Sequence, residues 1–409
     1  MGSNLAATLG QEAEAGRFPL PRRNLLGACT AHLLHDGYTD QLYAYLPVWQ
    51  PEFGLSYAGL AIVRALYYAT MGVLQVPADR VVAGIGARTA LALATVVAAA
   101  GYAIMALPLG FPGLCLGLVV AGVGSSIQHP RASVLVTASY GKGARGPLGI
   151  YNFAGDLGKA ALPAIAALLI PLLTWRPVAG LMASVGAVIA LAVLIIIPRQ
   201  PALAAAEQKI DTARGDGRGF GLLLTIGAFD TATRMGFLLF LPFLLRAKGG
   251  SEETLGIALA LLFTGGAFGK AGCGWLGQHL GVVWSVVATE AATAALILAT
   301  LALPLHAALG VLLVLGTMLN GTSSVLYGTV PELARKGRVG RAFALFYTGV
   351  IGSGGLAPIA FGFLADHTCR TAGIIAPALT ALAIVPMALL LKPVLHDDSA
   401  ARASSAGGH

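Results

Sequence analysis

Twelve stretches of about 20 mostly apolar residues recur along this chain, each long enough to cross the roughly 30 Å hydrocarbon core of a bilayer as a helix. With no water inside that core, backbone N–H and C=O groups must pair within the segment, so each stretch is expected to be helical. The first six span 24–48, 57–78, 88–107, 112–137, 147–171 and 176–198. The second six span 220–246, 253–276, 281–303, 306–330, 342–365 and 373–393. Only 11% of residues are charged and 56% are hydrophobic, with a mean hydropathy of +0.78, against roughly a quarter charged in soluble domains. The expected fold class is an all-α membrane protein with twelve transmembrane helices in two pseudo-symmetric six-helix bundles.

The polar stretch 199–219 is the expected linker between a bundle at 24–198 and another at 220–393. Tails are expected at 1–23 and 394–409. The tail before Leu20 has no charged start, apolar run and cleavage site of a signal peptide, so the first membrane helix is expected to serve as the targeting signal. Of 26 Lys and Arg, 17 fall on the side holding both tails and the linker. Arg176, Arg246, Lys248 and Arg370 fall on the other side, and Arg64, Arg131, Lys159, Arg234 and Lys270 lie within spans. That bias places both termini of a multi-pass membrane protein on the cytoplasmic side. It also accounts for the net charge of +8 without nucleic acid as a partner. Cys29, Cys115, Cys273 and Cys369 are scattered and form no disulfide or metal-binding pattern.

The halves repeat at an offset of 194 residues. Lys142, Gly143, Gly146, Gly155, Gly158 and Leu162 fall on Lys336, Gly337, Gly340, Gly349, Gly352 and Leu356, while Asp36 falls on Asp230 and Asp40 on Arg234. Parallel six-helix repeats about an axis along the membrane normal are a transporter architecture.

Ionisable groups at membrane depth mark functional paths or pair with one another. His32, Asp36 and Asp40 are spaced by four and share one helix face. Five acids lie well inside the spans (Asp36, Asp40, Asp156, Asp230 and Glu290), against the five bases above. The balance points to ion pairing, either purely structural or exchangeable. Similar distances from the turn at Gly143 make Arg131 and Asp156 candidates for a pair. Asp36 and His32, with Asp40 and Asp230, are the candidate proton-coupling residues. Arg131, Lys159 and Arg234 would exchange acidic partners for an anionic substrate group. His129, Asp156, Tyr151, Asn152 and Tyr347 complete the candidate substrate site. Glu290 has no evident partner.

His32, His35 and Asp36, at i, i+3 and i+4, also have metal-ligand spacing. The second half adds no matching His or Cys, and HLLHD lacks the glutamate of HExxH, so neither a metal site nor a zinc protease is expected. No P-loop is present, and no cofactor is expected. The Gly349–Gly355 and Gly265–Gly269 runs allow close helix approach, as rocking surfaces or as tight packing. Tyr43, Tyr45 and Trp49 are expected to anchor the outer membrane interface, with substrate stacking the other reading.

The layout resembles the major facilitator superfamily. That family carries G-x-x-x-D-R-x-G-[RK]-[RK] after its second helix and a weaker copy after its eighth. Here Asp79 and Arg80 match, Gln75 replaces the leading glycine, and Gly84 and Gly86 follow. The second copy runs from Gly274 to Gly281, with Gln278 in place of Asp. The resemblance implies that Asp79, Arg80 and Gln278 form a gating latch. The stretch from His32 to Asp36 resembles H-x-x-N-D of the fosmidomycin resistance group, with His35 for Asn. The stretch from Gly122 to Arg131 resembles its G-[VI]-G-S-S-x-x-H-P-E, with Arg131 for Glu. This resemblance implies a monomeric secondary transporter of the bacterial inner membrane that works by alternating access and exports a small organic anion or drug; the buried acids and His point to proton coupling, and so to an antiporter. A proton-coupled uptake symporter for an organic acid would share the layout. A non-transporting sensor would need a signalling domain, and the tails have no room for one. An enzyme would need a nucleophile or metal constellation, and none is evident.

Overall fold

In the computed structural model, residues 20–200, 219–335 and 339–406 are described; the expected linker lies almost wholly outside them. Twelve helices form. In the first half α1 is Leu20–Phe53, α2 Tyr57–Val81, α3 Ala87–Ala106, α4 Gly110–Tyr140, α5 Arg145–Leu173 and α6 Trp175–Ile196. In the second half α7 is Phe220–Ala247, and Glu252–Ala302 is two helices broken at Gly281. There φ is 76°, a value only glycine adopts freely, and α8 (252–280) gives way to α9 (282–302). Then follow α10 Leu305–Leu333, α11 Val339–His367 and α12 Arg370–Ala406. Among the described residues, ten spans are long and apolar enough to cross a membrane. α1 and α8 are not among them; in α1, His32, His35, Asp36, Asp40 and Gln41 interrupt the apolar run.

Within the first half α1 packs mainly on α5, and α4 on α2 and α3; within the second, α7 packs on α11 and α12. The α1–α5 seam depends on Gly158, where a Cβ would collide with the Leu33 carbonyl. The halves meet along α2–α11 and α5–α8. Leu172, Val188, Ile195, Leu356 and Leu390 are exposed, an apolar outer surface that suits lipid rather than water.

The buried core is unevenly divided. At the end holding Trp49, Phe240 and Trp175 it is one cluster spanning both halves. Towards the other end it splits into separate clusters, one around Leu223, Val330 and Phe346 and one around Ala31, Leu135 and Val193. Polar contacts across the halves reinforce the Trp49 end, while an Asp156–Lys270 pair joins them deeper in. Arg246 donates to the Pro47 carbonyl at 2.8 Å, and Asp366 accepts from the Tyr57 and Ala58 N–H groups. The halves are therefore closed at the Trp49 end and parted towards the end where α1 starts and α2 and α4 finish.

Tyr43, Tyr45 and Trp49 are each fully buried inside that closed end, which corrects the expectation of interface anchors. Trp49 stacks on Tyr45 (5.3 Å) and meets Trp175 edge-on (5.9 Å), while the Arg64 guanidinium lies 4.3 Å over the Tyr43 ring. The glycine runs divide. Gly265 and Gly269 pack tightly on α10 inside one half, whereas Gly354 abuts Tyr68 across the interface.

Candidate functional site

A cavity of about 450 Å³ lies between the parted halves. α1 brings His32, Asp36 and Asp40 to its wall, as their four-residue spacing requires. α4 adds His129, and α5 adds Tyr151, Asn152 and Lys159. From the second half come Arg234, Lys270, Tyr327 and Tyr347. Asp36 is the centre of this set. Its Oδ2 is 3.1 Å from Lys159 Nζ and 3.6 Å from His32 Nε2, and its Oδ1 is 3.8 Å from His129 Nε2. The His32 ring is held by stacking on Tyr151 at 3.9 Å, with the His129 ring edge-on at 5.3 Å.

His35 does not join them. It is fully buried and turned towards α3 and α4, with Nδ1 2.8 Å from Ser125 Oγ and Nε2 3.3 Å from Thr95 Oγ1. Ser125 also bonds Tyr67 at 2.6 Å. An apolar-looking helix hides this network, since Ser and Thr in membrane spans more often bond their own helix.

Arg131 stands elsewhere than expected. It is 2% exposed and lies outside the cavity wall; its Nε is 2.6 Å from Asp79 Oδ1, and its Nη2 donates to the Asp79 carbonyl at 2.5 Å. The Arg131–Asp156 pair does not form. Beyond their connecting turn α4 and α5 barely touch, and α5 packs on α1 and α8 instead. Asp156 consequently pairs with Lys270 of α8, across the two halves. Residue spacing alone gives depth and not facing, which is why Lys270 was missed as a partner. Arg80 follows the half-buried Asp79 at the end of α2 and is exposed, and the Gln278 side chain lies outside the described residues.

Asp230 is 3% exposed and borders a small cleft beside the cavity rather than the cavity itself. Arg234, one turn on, reaches both and donates to Asn320 Oδ1 at 3.3 Å. Ligand atoms of His32, Asp36 and His129 lie within 4.8 Å of one another. The Lys159 ammonium already sits on Asp36 Oδ2, the oxygen nearer His32, and its charge opposes a divalent cation there. Chemically, the wall offers two carboxylates, two imidazoles and three cations. Such a set can bind a small charged molecule, hold exchangeable protons and swap ion-pair partners.

The model of the family described as Major Facilitator Superfamily matches this chain twice, over residues 29–229 and 222–408. The chain belongs to the major facilitator superfamily. As a superfamily member it is a multi-pass membrane transporter of small molecules, not an enzyme. Among curated relatives, the fosmidomycin resistance protein of Escherichia coli (strain K12) is 25% identical over 367 residues, 84% of this chain and 87% of that protein. Solved structures share the superfamily fold. A bacterial homologue of the human lysosomal transporter Spinster, inward-facing and unoccupied, has a TM-score of 0.73 at 17% identity, covering 93% of this chain and 99% of that one. A POT family transporter in complex with a thioalcohol-conjugated peptide has a TM-score of 0.73 at 12% identity, covering 91% and 96%.

Proposed function

We propose that this transporter is a proton-coupled exporter of a small organic anion or drug, acting as a monomer in a bacterial cytoplasmic membrane. The observation that carries the reading is the setting of Asp36, a carboxylate in the cavity wall between one ammonium and two imidazoles. Protons and substrate can both reach it, and either can displace a partner. The name of the Escherichia coli relative supports export. The excess of Lys and Arg beside the tails and linker supports a cytoplasmic position for that end, so that the cavity faces inward. Asp36 and His32, with Asp40 and Asp230, would carry protons. Lys159, Arg234, His129, Asp156, Asn152, Tyr151 and Tyr347 would form or support the substrate site. Asp79 and Arg80 would act in the latch, with Arg131 fixing Asp79.

A second reading, uptake by symport with an organic acid, is favoured by the direct Lys159–Asp36 contact. An anion that draws Lys159 away leaves Asp36 bare, so anion and proton bind together. A drug group that takes Lys159's place on Asp36 competes with the proton. Competition drives exchange and cooperation drives cotransport, because linkage between two bound species is reciprocal.

The test uses inverted membrane vesicles with an acidic interior and a pH-sensitive dye, challenged with phosphonates, carboxylates and cationic drugs. A compound that dissipates the gradient with wild type and not with Asp36→Asn supports exchange. In right-side-out vesicles with an acidic exterior, a compound accumulated together with protons supports the symport reading, and no response to any compound in either preparation overturns proton coupling.

A further inference from the structure

A second cavity, of about 850 Å³, runs along the seam where α2 meets α11. That volume falls in the range of small-molecule sites. Leu66, Val73 and Val76 of α2 and Ile351, Leu356 and Ile359 of α11 make its walls apolar. Val73 and Leu356 are 73% and 70% exposed, so the groove opens on the outer surface that suits lipid. It also adjoins the main cavity, because Gln75, Tyr347 and Ile351 line both. Tyr347 leans against Tyr327, another cavity residue, at 5.0 Å between ring centroids.

Two glycines keep the groove open. Gly352 and Gly355 line it, and a Cβ at either would meet nothing within 4 Å. Neither takes a positive φ. Glycine inside a helix destabilises it relative to alanine, and packing explains only their neighbours: a Cβ would crowd Leu224 at Gly349, and Thr231 and Tyr68 at Gly354. What Gly352 and Gly355 provide is room. Bulk lipid gains little by filling that room, since a lipid tail is as apolar as a leucine side chain. A chain is held there when its other end is anchored next door. The main cavity supplies the anchor, with Lys159, Arg234 and Lys270 against the carboxylates of Asp36 and Asp40 on its wall.

We propose that the transported compound is an amphiphilic anion, with its head among Lys159, Arg234 and Lys270 and its alkyl or acyl tail in the α2–α11 groove. The tail passes Gln75 and Tyr347, where groove and cavity adjoin. It keeps apolar surroundings throughout, so the compound is drawn from the bilayer and not from water. This assignment rests on the reading of the protein as an exporter of an organic anion and adds the tail to it.

Equilibrium binding of butylphosphonate and decylphosphonate to the full-length protein in lipid nanodiscs tests the tail site. Gly352→Leu fills groove space and displaces about two methylenes of the tail, so it is expected to weaken decylphosphonate about tenfold. Butylphosphonate, too short to reach the groove, should bind as it does to wild type. Gly355→Leu is expected to act in the same way, and wild-type melting temperatures would show that both variants fold. The proposal is overturned if both variants weaken the two phosphonates alike or weaken neither, or if wild type binds neither. It is also overturned if a phosphatidylcholine with a diazirine in its tail labels Val73 and Leu356 undiminished at saturating decylphosphonate, since the groove is then a lipid site. The expected binding pattern without proton movement in the vesicle assay would support the tail site and refute only proton coupling. Proton-coupled export with no effect of chain length would refute only the tail site.

Discussion

Asp366, in the last turn of α11, caps Tyr57, the first residue of α2 in the other half of the molecule. Its Oδ1 accepts from Tyr57 N–H at 2.8 Å and its Oδ2 from Ala58 N–H at 2.9 Å, while Ser56 takes the Gly59 N–H at 3.1 Å. Most of the unpaired donors at that helix start are thereby satisfied, two of them only while the halves are closed at this end. Gly362 makes the approach possible, since a Cβ there would strike the Tyr57–Ala58 backbone. A carboxylate at an exposed helix start is worth about 0.3–1 kcal/mol, up to roughly a fivefold change in a two-state ratio. Asp366→Ala is expected to raise the ratio of molecules open at this end by that factor, read as a longer distance between spin labels at the start of α2 and the end of α11. An unchanged distance distribution would show that the cap does not bias the gate.

Lys159 and Asp36 are expected to behave as a unit. Removing one partner strands the other charge in the cavity wall, whereas removing both leaves a neutral gap. Asp36→Asn and Lys159→Gln should therefore each lower thermal stability more than their combination predicts. A coupling energy of about 0.5–3 kcal/mol in a double-mutant cycle is the expected size for residues in contact. Additive effects would mean that the 3.1 Å contact carries no energy in the membrane-embedded protein.

The helices and the polar face of α1 were legible in the sequence because they depend on local composition and on a period of 3.6. His32, Asp36 and Asp40 reach the cavity for that reason alone. Partner choice was not legible, because it depends on which helices pack together. Arg131 and Asp156 lie at matching depth, but α4 and α5 do not pack there, and each residue found another partner, Asp79 and Lys270. Tyr43, Tyr45 and Trp49 show the limit of position along a helix. Their height matches an interface belt, but their azimuth points into the protein.

Arg131 holds Asp79 through two atoms of one guanidinium, directed at the side chain and the main chain of the same residue. Lys is a poor substitute for such a fork. Arg131→Lys is expected to lose at least one charge-assisted bond, about 1.5–3 kcal/mol, and to lower the melting temperature. Because Arg131 does not line the cavity, binding affinity for a transported compound should stay within experimental error of wild type in a titration of purified protein. A large fall in affinity at unchanged stability would return Arg131 to the substrate site.

Trp49 gives the sharpest distinction between a membrane-interface residue and a core residue. It is fully buried between Tyr45 and Trp175, and Trp175 in turn donates from Nε1 to Glu52 Oε2 at 2.5 Å. Glu52 also pairs with Arg176 at 2.6 Å, so the aromatic cluster is tied to an ionic one at the closed end. Trp49→Ala should cost about 3–5 kcal/mol, the range for deleting a large core ring. Trp49→Phe should cost much less, because a ring remains and the lost indole N–H has no acceptor. Brominated lipids offer the independent check. They quench tryptophans that meet the bilayer, so wild type and Trp49→Phe should lose the same absolute intensity. A smaller loss in the variant would place Trp49 at the lipid boundary after all.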